Sequence, residues 1–505
     1  MHTKKIYTNT LAQIGGKILT ALISIAMIKI LTTYLDIAGY GLYSKIYNYL
    51  SIFAVIADLG LYTITVRELS AHADDRHMVS KISANILTLR TASWIGIIFL
   101  SLLIGVFLSG YNSPEALIGI TIAWLFTLAG LINSSLMSYL QATLQTEFSI
   151  IANTGGKLLT FGMILMFVAF FAWISHTEKF TLVMLAGLAG NLLMTALTWW
   201  YVNRYERVYF AWDSQYIRHI IKISLPYGLA LFLNVIFFKV DTILLSLLSP
   251  KNLADTVVAL YALPMKIVEV GMMYGTIFLN SLLPVLTQAI EKSDTKKIHH
   301  LTAHAWKLLL FFGVGIATFS FFLAPDIIRI ISSQEYIDTE VLGGTSVEAM
   351  KIVVWIFLFY FLSSLFTFTL IARSEQKKML WINAVVALIN IIGNIIVIPV
   401  YSFVGSAWVT LLSQIMLLIL TGITARHNIR FRSVLPITFG IFIFALLGYL
   451  SMGYIFTQET IFLPEGGTIR EILARILLLW WVFTFVYGGW VGSIFLYKKR
   501  KAIRQ

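Results

Sequence analysis

Residues 379–425 read MLWINAVVALINIIGNIIVIPVYSFVGSAWVTLLSQIMLLILTGITA, an apolar run without a single charged side chain. A helix needs about 20 mostly apolar residues to cross a bilayer, so the run has the length of two crossings, over 379–398 and 403–425. The same criterion applied outward predicts fourteen spans in all. The others lie near 10–33, 42–66, 82–108, 116–140, 151–174, 181–203, 220–248, 256–287, 300–323, 350–372, 434–456 and 473–496. Lipid offers no partners to backbone N–H and C=O groups, and helices satisfy their own. The expected fold class is therefore an all-α integral membrane protein.

Composition agrees. The 505 residues are 58% hydrophobic and 12% charged, against about 25% charged in soluble domains. Loops and tails average only about 12 residues once the spans are placed, which leaves no room for a soluble domain. With no cysteine, disulfides, thiol catalysis and Cys-ligated metal are excluded. No Gly-rich phosphate loop, His-rich metal spacing or Ser/His/Asp cluster appears, so neither a catalytic nor a metal site is expected, and the chain is read as not an enzyme. A membrane glycosyltransferase would need a substantial outer domain. The longest outer loop, 324–349, is too short for one and reads as a solvated acidic loop. The N-terminal Met1-His2-Thr3-Lys4-Lys5 lacks signal-peptide features, and the span after it, interrupted by Gln13 and Lys17, reads as a retained first helix.

Orientation follows from Lys and Arg in alternate loops. Placing the N-terminus inside puts 23 of the 37 basic residues in inner loops and tails, and only Lys179, Lys251, Arg329 and Arg470 outside. Both termini are thus expected in the cytoplasm, the chain lying in the cytoplasmic membrane.

Ten bases remain within spans: Lys17, Lys29, Lys45, Arg90, Lys157, Lys239, Lys266, Lys307, Lys351 and Arg475. The acids there are Asp58, Asp241 and Glu269. Ten charges facing lipid would cost on the order of 25–35 kcal/mol, more than holds a typical protein folded. They must pair, snorkel or line water. Lys351 three residues after Glu348, and Arg475 four after Glu471, read as interfacial ion pairs, and Lys29 and Lys45 are placed to snorkel. The deeper set forms stripes: Gln13, Lys17, Thr20 and Ser24 share a face of the first span, Asn153, Lys157 and Thr160 a face of the fifth, and Ser83 and Arg90 a face of the third. Lys266 and Glu269, and His304 and Lys307, are three apart. The surplus of seven positive charges in the spans predicts a cavity that attracts an anion, phosphate or pyrophosphate being the natural fit. Gly15-Gly16, Gly155-Gly156, Pro226, Pro264 and Pro284 permit bends or close packing there.

Internal similarity is weak: Gln145 and Asn153 in the fifth span find counterparts in Gln376 and Asn383 at the eleventh, and Lys45 in Lys266. Parallel repeats of this kind occur in transporters whose halves rock about a central site.

Two stretches resemble a known family. Asp36-Ile37-Ala38-Gly39-Tyr40-Gly41-Leu42-Tyr43-Ser44, with Ala57-Asp58-Leu59-Gly60-Leu61 and Arg67-Glu68, resembles the first two helices of the polysaccharide (O-antigen type) flippases. Gln376-Lys377-Lys378, Asn383, Asn390, Asn394, Ile398-Pro399, Gly405-Ser406-Ala407 and Ser413 resemble their later helices, although Gly and Ala would be usual where Ser402 and Ser406 stand. These flippases belong to the multidrug, oligosaccharidyl-lipid and polysaccharide exporter superfamily. The resemblance implies two six-helix lobes in pseudo-twofold arrangement, residues 1–210 and 211–428, and residues 429–505 with two further helices and a basic tail. It implies translocation of a polyprenyl-pyrophosphate-linked oligosaccharide to the outer leaflet by alternating access. The substrate ligands would be Lys17, Arg90, Lys157, Lys239, Lys266, Lys307, Lys29 and Lys45, with Asp58, Asp241 and Glu269 as ion-coupling residues. For Asp58 and Arg67 a structural ion pair is as plausible as substrate contact. No cofactor is expected, a proton or sodium gradient being the candidate energy source. The expected partners are the lipid-linked glycan, membrane lipids and glycan polymerase machinery, for a monomer that binds no nucleic acid. A peptidoglycan lipid-precursor flippase would share all these features. A drug antiporter of the superfamily would favour intramembrane acids and twelve spans.

Overall fold

The computed structural model describes residues 2–72, 75–143, 145–373 and 375–426, and the side chains of all of these except 2–14, 17, 18 and 146. The predicted spans at 434–456 and 473–496, with Arg475, lie outside the described residues, as does the side chain of Lys17. Among the described residues fifteen helices follow one another. The first eight are α1 (His2–Tyr34), α2 (Asp36–Asp58), α3 (Leu61–Ala71), α4 (Arg76–Phe107), α5 (Pro114–Ala142), α6 (Thr146–Phe170), α7 (His176–Val202) and α8 (Ser214–Leu248). The rest are α9 (Ala254–Glu291), α10 (Thr295–Phe322), α11 (Ala324–Ile331), α12 (Glu335–Asp338), α13 (Ser346–Val353), α14 (Ile356–Ala372) and α15 (Gln376–Ala425). Ten helical stretches among the described residues are long and apolar enough to cross a membrane, and this is a multi-pass membrane protein.

Helix starts are set by short polar side chains that satisfy the first free N–H groups. Ser113 accepts from the Ala116 N–H ahead of Pro114, and Ser175 with Glu178 forms a capping box. Asp213 accepts from the N–H groups of Gln215 and Tyr216 at the start of α8. Lys81, 2.6 Å away, and those N–H groups hold its carboxyl below the usual carboxylate range. Thr345 and Glu348 form a second capping box. That box engages Glu348, so the predicted Glu348–Lys351 pair is absent, and Lys351 instead lies over the Phe321 ring at 5.9 Å.

Three features depart from the uniform rods expected. The second span is broken at Leu59 and Gly60, whose φ angles of 46° and 71° end α2 and restart the chain as α3. The outer loop is not wholly solvated: it contains α11 and α12, and Ser332 and Tyr336 are buried. The third is in α15. Fifty residues would make a rod of about 75 Å, against a hydrocarbon core of about 30 Å. Ser402, at φ 49° and ψ −139°, breaks it where the two predicted spans meet. The turn is sharp: a Cβ on Gly405 would stand 2.4 Å from Cγ1 of Val397, eight residues earlier and about 12 Å away in a straight helix.

The chain divides into two compact units. The first comprises Met1–Ala262, Ile331–Ser333 and Asn383–Ser406, and the second Leu263–Ile330, Gln334–Ile382 and the chain from Ala407 onward. In the first, Leu61, Ile64 and Leu69 of α3 pack on Ile82 and Ile86 of α4 and on Leu136 and Leu140 of α5. There α6 and α7 approach closely, because a Cβ on Gly156 would lie 2.5 Å from the Gly190 carbonyl oxygen. Gly156 thus serves packing rather than bending. In the second unit, Leu309 and Leu310 of α10 pack on Phe361, Leu365 and Phe366 of α14.

Ser402 adopts a backbone conformation that costs a residue with a Cβ about 1–3 kcal/mol, and its buried hydroxyl has no hydrogen-bond partner. Glycine is free of that strain, at an unfolded-state entropy cost of about 0.5–1 kcal/mol. Ser402→Gly is therefore expected to raise the thermal midpoint of the detergent-purified protein. An unchanged or lower midpoint would show that the bend is unstrained.

Candidate functional site

The basic residues predicted within spans fall into two sets, those neutralised by a nearby carboxylate and those held by neutral oxygens or partly open to solvent. Arg90 of α4 is fully buried, at 0% exposure, and its guanidinium lies 2.5 Å from Oδ1 of Asp58. A second guanidinium nitrogen donates to Ser135 Oγ of α5 at 2.9 Å. Asp58 ends α2 at the Leu59–Gly60 break, so one ion pair ties α2, α4 and α5 together where the chain changes direction. Arg67, the other half of the family motif, contacts Glu68 at 3.1 Å instead.

Lys45 does not snorkel. It is 2% exposed, its ammonium 2.5 Å from Asp255 Oδ1 and 2.8 Å from the Gly110 carbonyl oxygen, with the Tyr111 ring 5.5 Å away. Asp255, at the start of α9, lies one residue before the predicted span and so was not counted as an intramembrane acid. Its distance in sequence from Lys45 hid the pair. Lys29 likewise turns inward, donating to the Ser332 carbonyl, and its neighbour Thr32 reaches the Ile331 carbonyl at 3.4 Å.

The stripes predicted on the first and fifth spans face each other. Lys157 Nζ of α6 stands 3.1 Å from Ser24 Oγ and 3.5 Å from the Thr20 carbonyl of α1. In the second unit, Lys266 pairs with Glu269 at 3.2 Å, as their spacing implied, while its side chain stays half exposed. Lys239 and Lys307 are partly exposed.

Of the three acids, Asp58 is committed to Arg90 and Glu269 contacts Lys266. Asp241 of α8 is wholly buried. The Tyr261 hydroxyl donates to its Oδ2 at 2.7 Å, and the Asn394 amide to its Oδ1 at 2.9 Å. The same amide contacts the Asn390 carbonyl oxygen at 3.0 Å and Asn390 Oδ1 at 3.2 Å. Asn390 and Asn394 are one turn apart on α15. The resemblance had singled out both asparagines. The contact of Asn394 with Asp241 was hidden by about 150 intervening residues. Tyr261 was missed because a tyrosine in an apolar run carries no signal of its own.

The polysaccharide biosynthesis protein model matches residues 6–290, over half of the chain, and the MatE model matches residues 226–396. No curated protein matches the chain by sequence. Among solved structures the chain is similar to the lipid II flippase MurJ in its inward closed conformation, at 15% identity over 95% of this chain and 98% of that one, with a TM-score of 0.71. An inward-facing multidrug resistance MATE family transporter of the MOP superfamily is 15% identical over 81% of this chain and 93% of its own, TM-score 0.65. A variant of a Vibrio cholerae MATE transporter is 15% identical over 85% and 97%, TM-score 0.55. These likenesses show a shared fold.

Removing one partner of a buried ion pair leaves the other charge uncompensated, at a cost of about 3–5 kcal/mol. Asp58→Ala is expected to lower folded yield and thermal midpoint sharply, and Asp58→Ala with Arg90→Met to recover part of the loss. A double variant no better than Asp58→Ala would show that the pair is not what joins these helices.

Proposed function

The chain belongs to the polysaccharide biosynthesis protein family, and from that premise we propose that it is a flippase. It carries a polyprenyl-pyrophosphate-linked oligosaccharide from the inner to the outer leaflet of the cytoplasmic membrane by alternating access. Both termini lie in the cytoplasm, in agreement with the charge bias of the loops. The observation that carries the reading is the cation surplus at membrane depth. Arg90 and Lys45 contact Asp58 and Asp255, and the substrate-facing role is assigned to Lys157 and Lys239 of the first unit and to Lys266 and Lys307 of the second. Lysines at membrane depth attract a pyrophosphate and repel an organic cation, which disfavours drug export. The MurJ likeness supports a second reading of the same chemistry, a peptidoglycan lipid precursor as cargo.

In this reading Asp241 couples transport to a gradient. A carboxylate buried among Tyr261, Asn390 and Asn394 sits in an oxygen-rich setting that accepts a proton or a small hard cation. Its occupancy would bias the conformations between which the transporter alternates.

Reconstitution in liposomes with a polyprenyl-pyrophosphate glycan, with and without a pH or sodium gradient, tests the proposal. Replacing Lys157, Lys239, Lys266 and Lys307 singly by Gln is expected to slow flipping about tenfold at several positions, the scale of one lost charged hydrogen bond. Four silent replacements, or no flipping under any gradient, would sink the reading. Asp241→Asn is expected to abolish the gradient response while folded yield is retained, and an unaltered response would take coupling away from Asp241.

A further inference from the structure

One polar face of the first unit has no part in the assignments above. Beyond the Leu59–Gly60 break, the first turn of α3 presents Tyr62 and Thr63 beside Gln141, near the end of α5, and Tyr227 of α8. The Tyr62 hydroxyl donates to Gln141 Oε1, and the Thr63 hydroxyl to the Tyr227 oxygen at 3.5 Å. Backbone geometry builds the face: a Cβ on Gly60 would lie 2.7 Å from Cδ1 of Tyr227, and one on Gly228 would lie 2.5 Å from the Leu59 carbonyl oxygen. Only bare backbone at both positions lets α8 lay the Tyr227 ring against the break. Arg67, one turn beyond Thr63 and 60% exposed, extends the same face.

Gln141 stands one residue before the end of α5, and the Tyr62 hydroxyl reaches it from the first turn of α3. Polar side chains exposed there face water or headgroups rather than hydrocarbon, which would offer them no partners. Hydrogen-bonding capacity remains open on the face. Among the described residues, the Gln141 amide nitrogen and the Tyr227 phenolic proton donate to nothing. Thr63 and Gln141 are exposed, and Tyr62 and Tyr227 half so.

Two phenol rings, two unused donors and a guanidinium suit a ligand that has both a polar rim and an apolar face. A pyranose is such a ligand: its hydroxyls ring the edge, and its axial C–H groups present a face that packs on an aromatic ring. An apolar ligand would leave the donors unpaired, and a bare pyrophosphate would find one cation where the lysine set offers several. We infer that Tyr62, Thr63, Gln141 and Tyr227 form a docking surface for a sugar ring of the transported glycan. The assignment rests on the flippase reading and adds to it the part of the protein that distinguishes a glycan-bearing lipid from a bare one.

The test compares two probes on the purified full-length chain in nanodiscs: bare polyprenyl pyrophosphate, and the polyprenyl-pyrophosphate glycan extracted from the source cells' own membranes. The wild-type chain is expected to prefer the glycan-bearing lipid. Tyr62→Phe, Gln141→Leu and Tyr227→Phe are each expected to lower that preference about 5–10-fold, the scale of one hydrogen bond, with melting curves that match wild type. An unchanged preference in all three variants overturns the assignment, and so does a wild-type chain that binds the two lipids equally, which leaves the pyrophosphate reading standing. A wild-type chain that binds neither lipid overturns the flippase reading itself, and the glycan surface falls with it.

Discussion

Hydrocarbon gives a charge nothing to bind, and the arrangement of this protein follows from how its buried charges answer that constraint. The contact on which most depends is the ion pair of Arg90 with Asp58, 2.5 Å long with the arginine wholly buried. It fastens α4 to the last residue of α2 at the point where the chain breaks and resumes as α3. Without a carboxylate there, a guanidinium in this core would be untenable. Without the arginine, the end of α2 would lose its anchor to α4. Lys45 and Asp255 repeat the solution near the middle of α2, so α2 is held by one ion pair near its midpoint and another at its end.

Burial divides the cations. Arg90 and Lys45 are each buried against a carboxylate, whereas Lys157, Lys239 and Lys307 are only partly buried and Lys266 is half exposed. Asp58 and Glu269 each contact a cation, and the wholly buried Asp241 accepts from the hydroxyl of Tyr261 and the amide of Asn394.

Irregular backbone places both features. The Leu59–Gly60 break re-aims α3 and sets its polar first turn beside α8, and the Ser402 turn divides a run too long for one crossing. At the first break the positive φ falls partly on a glycine, which bears it without strain. At the second it falls on a serine, which carries strain that a glycine would not.

Periodicity and composition by themselves determined the membrane class, the helical architecture and the separation of the long spans, since each depends only on how many apolar residues follow one another. They also marked the lysines and acids that have to be accounted for, and the stripes of α1 and α6 that meet at Lys157 and Ser24. Local spacing was enough for Lys266 with Glu269, three residues apart on one helix. Only the tertiary structure decided that Lys45 meets Asp255, that Asp58 answers Arg90 rather than Arg67, and that Asn394 meets Asp241. The physical reason is the same in each case. A helix's periodicity shows which residues share a face, but the partner of that face comes from another helix far along the chain, and only packing brings the two together.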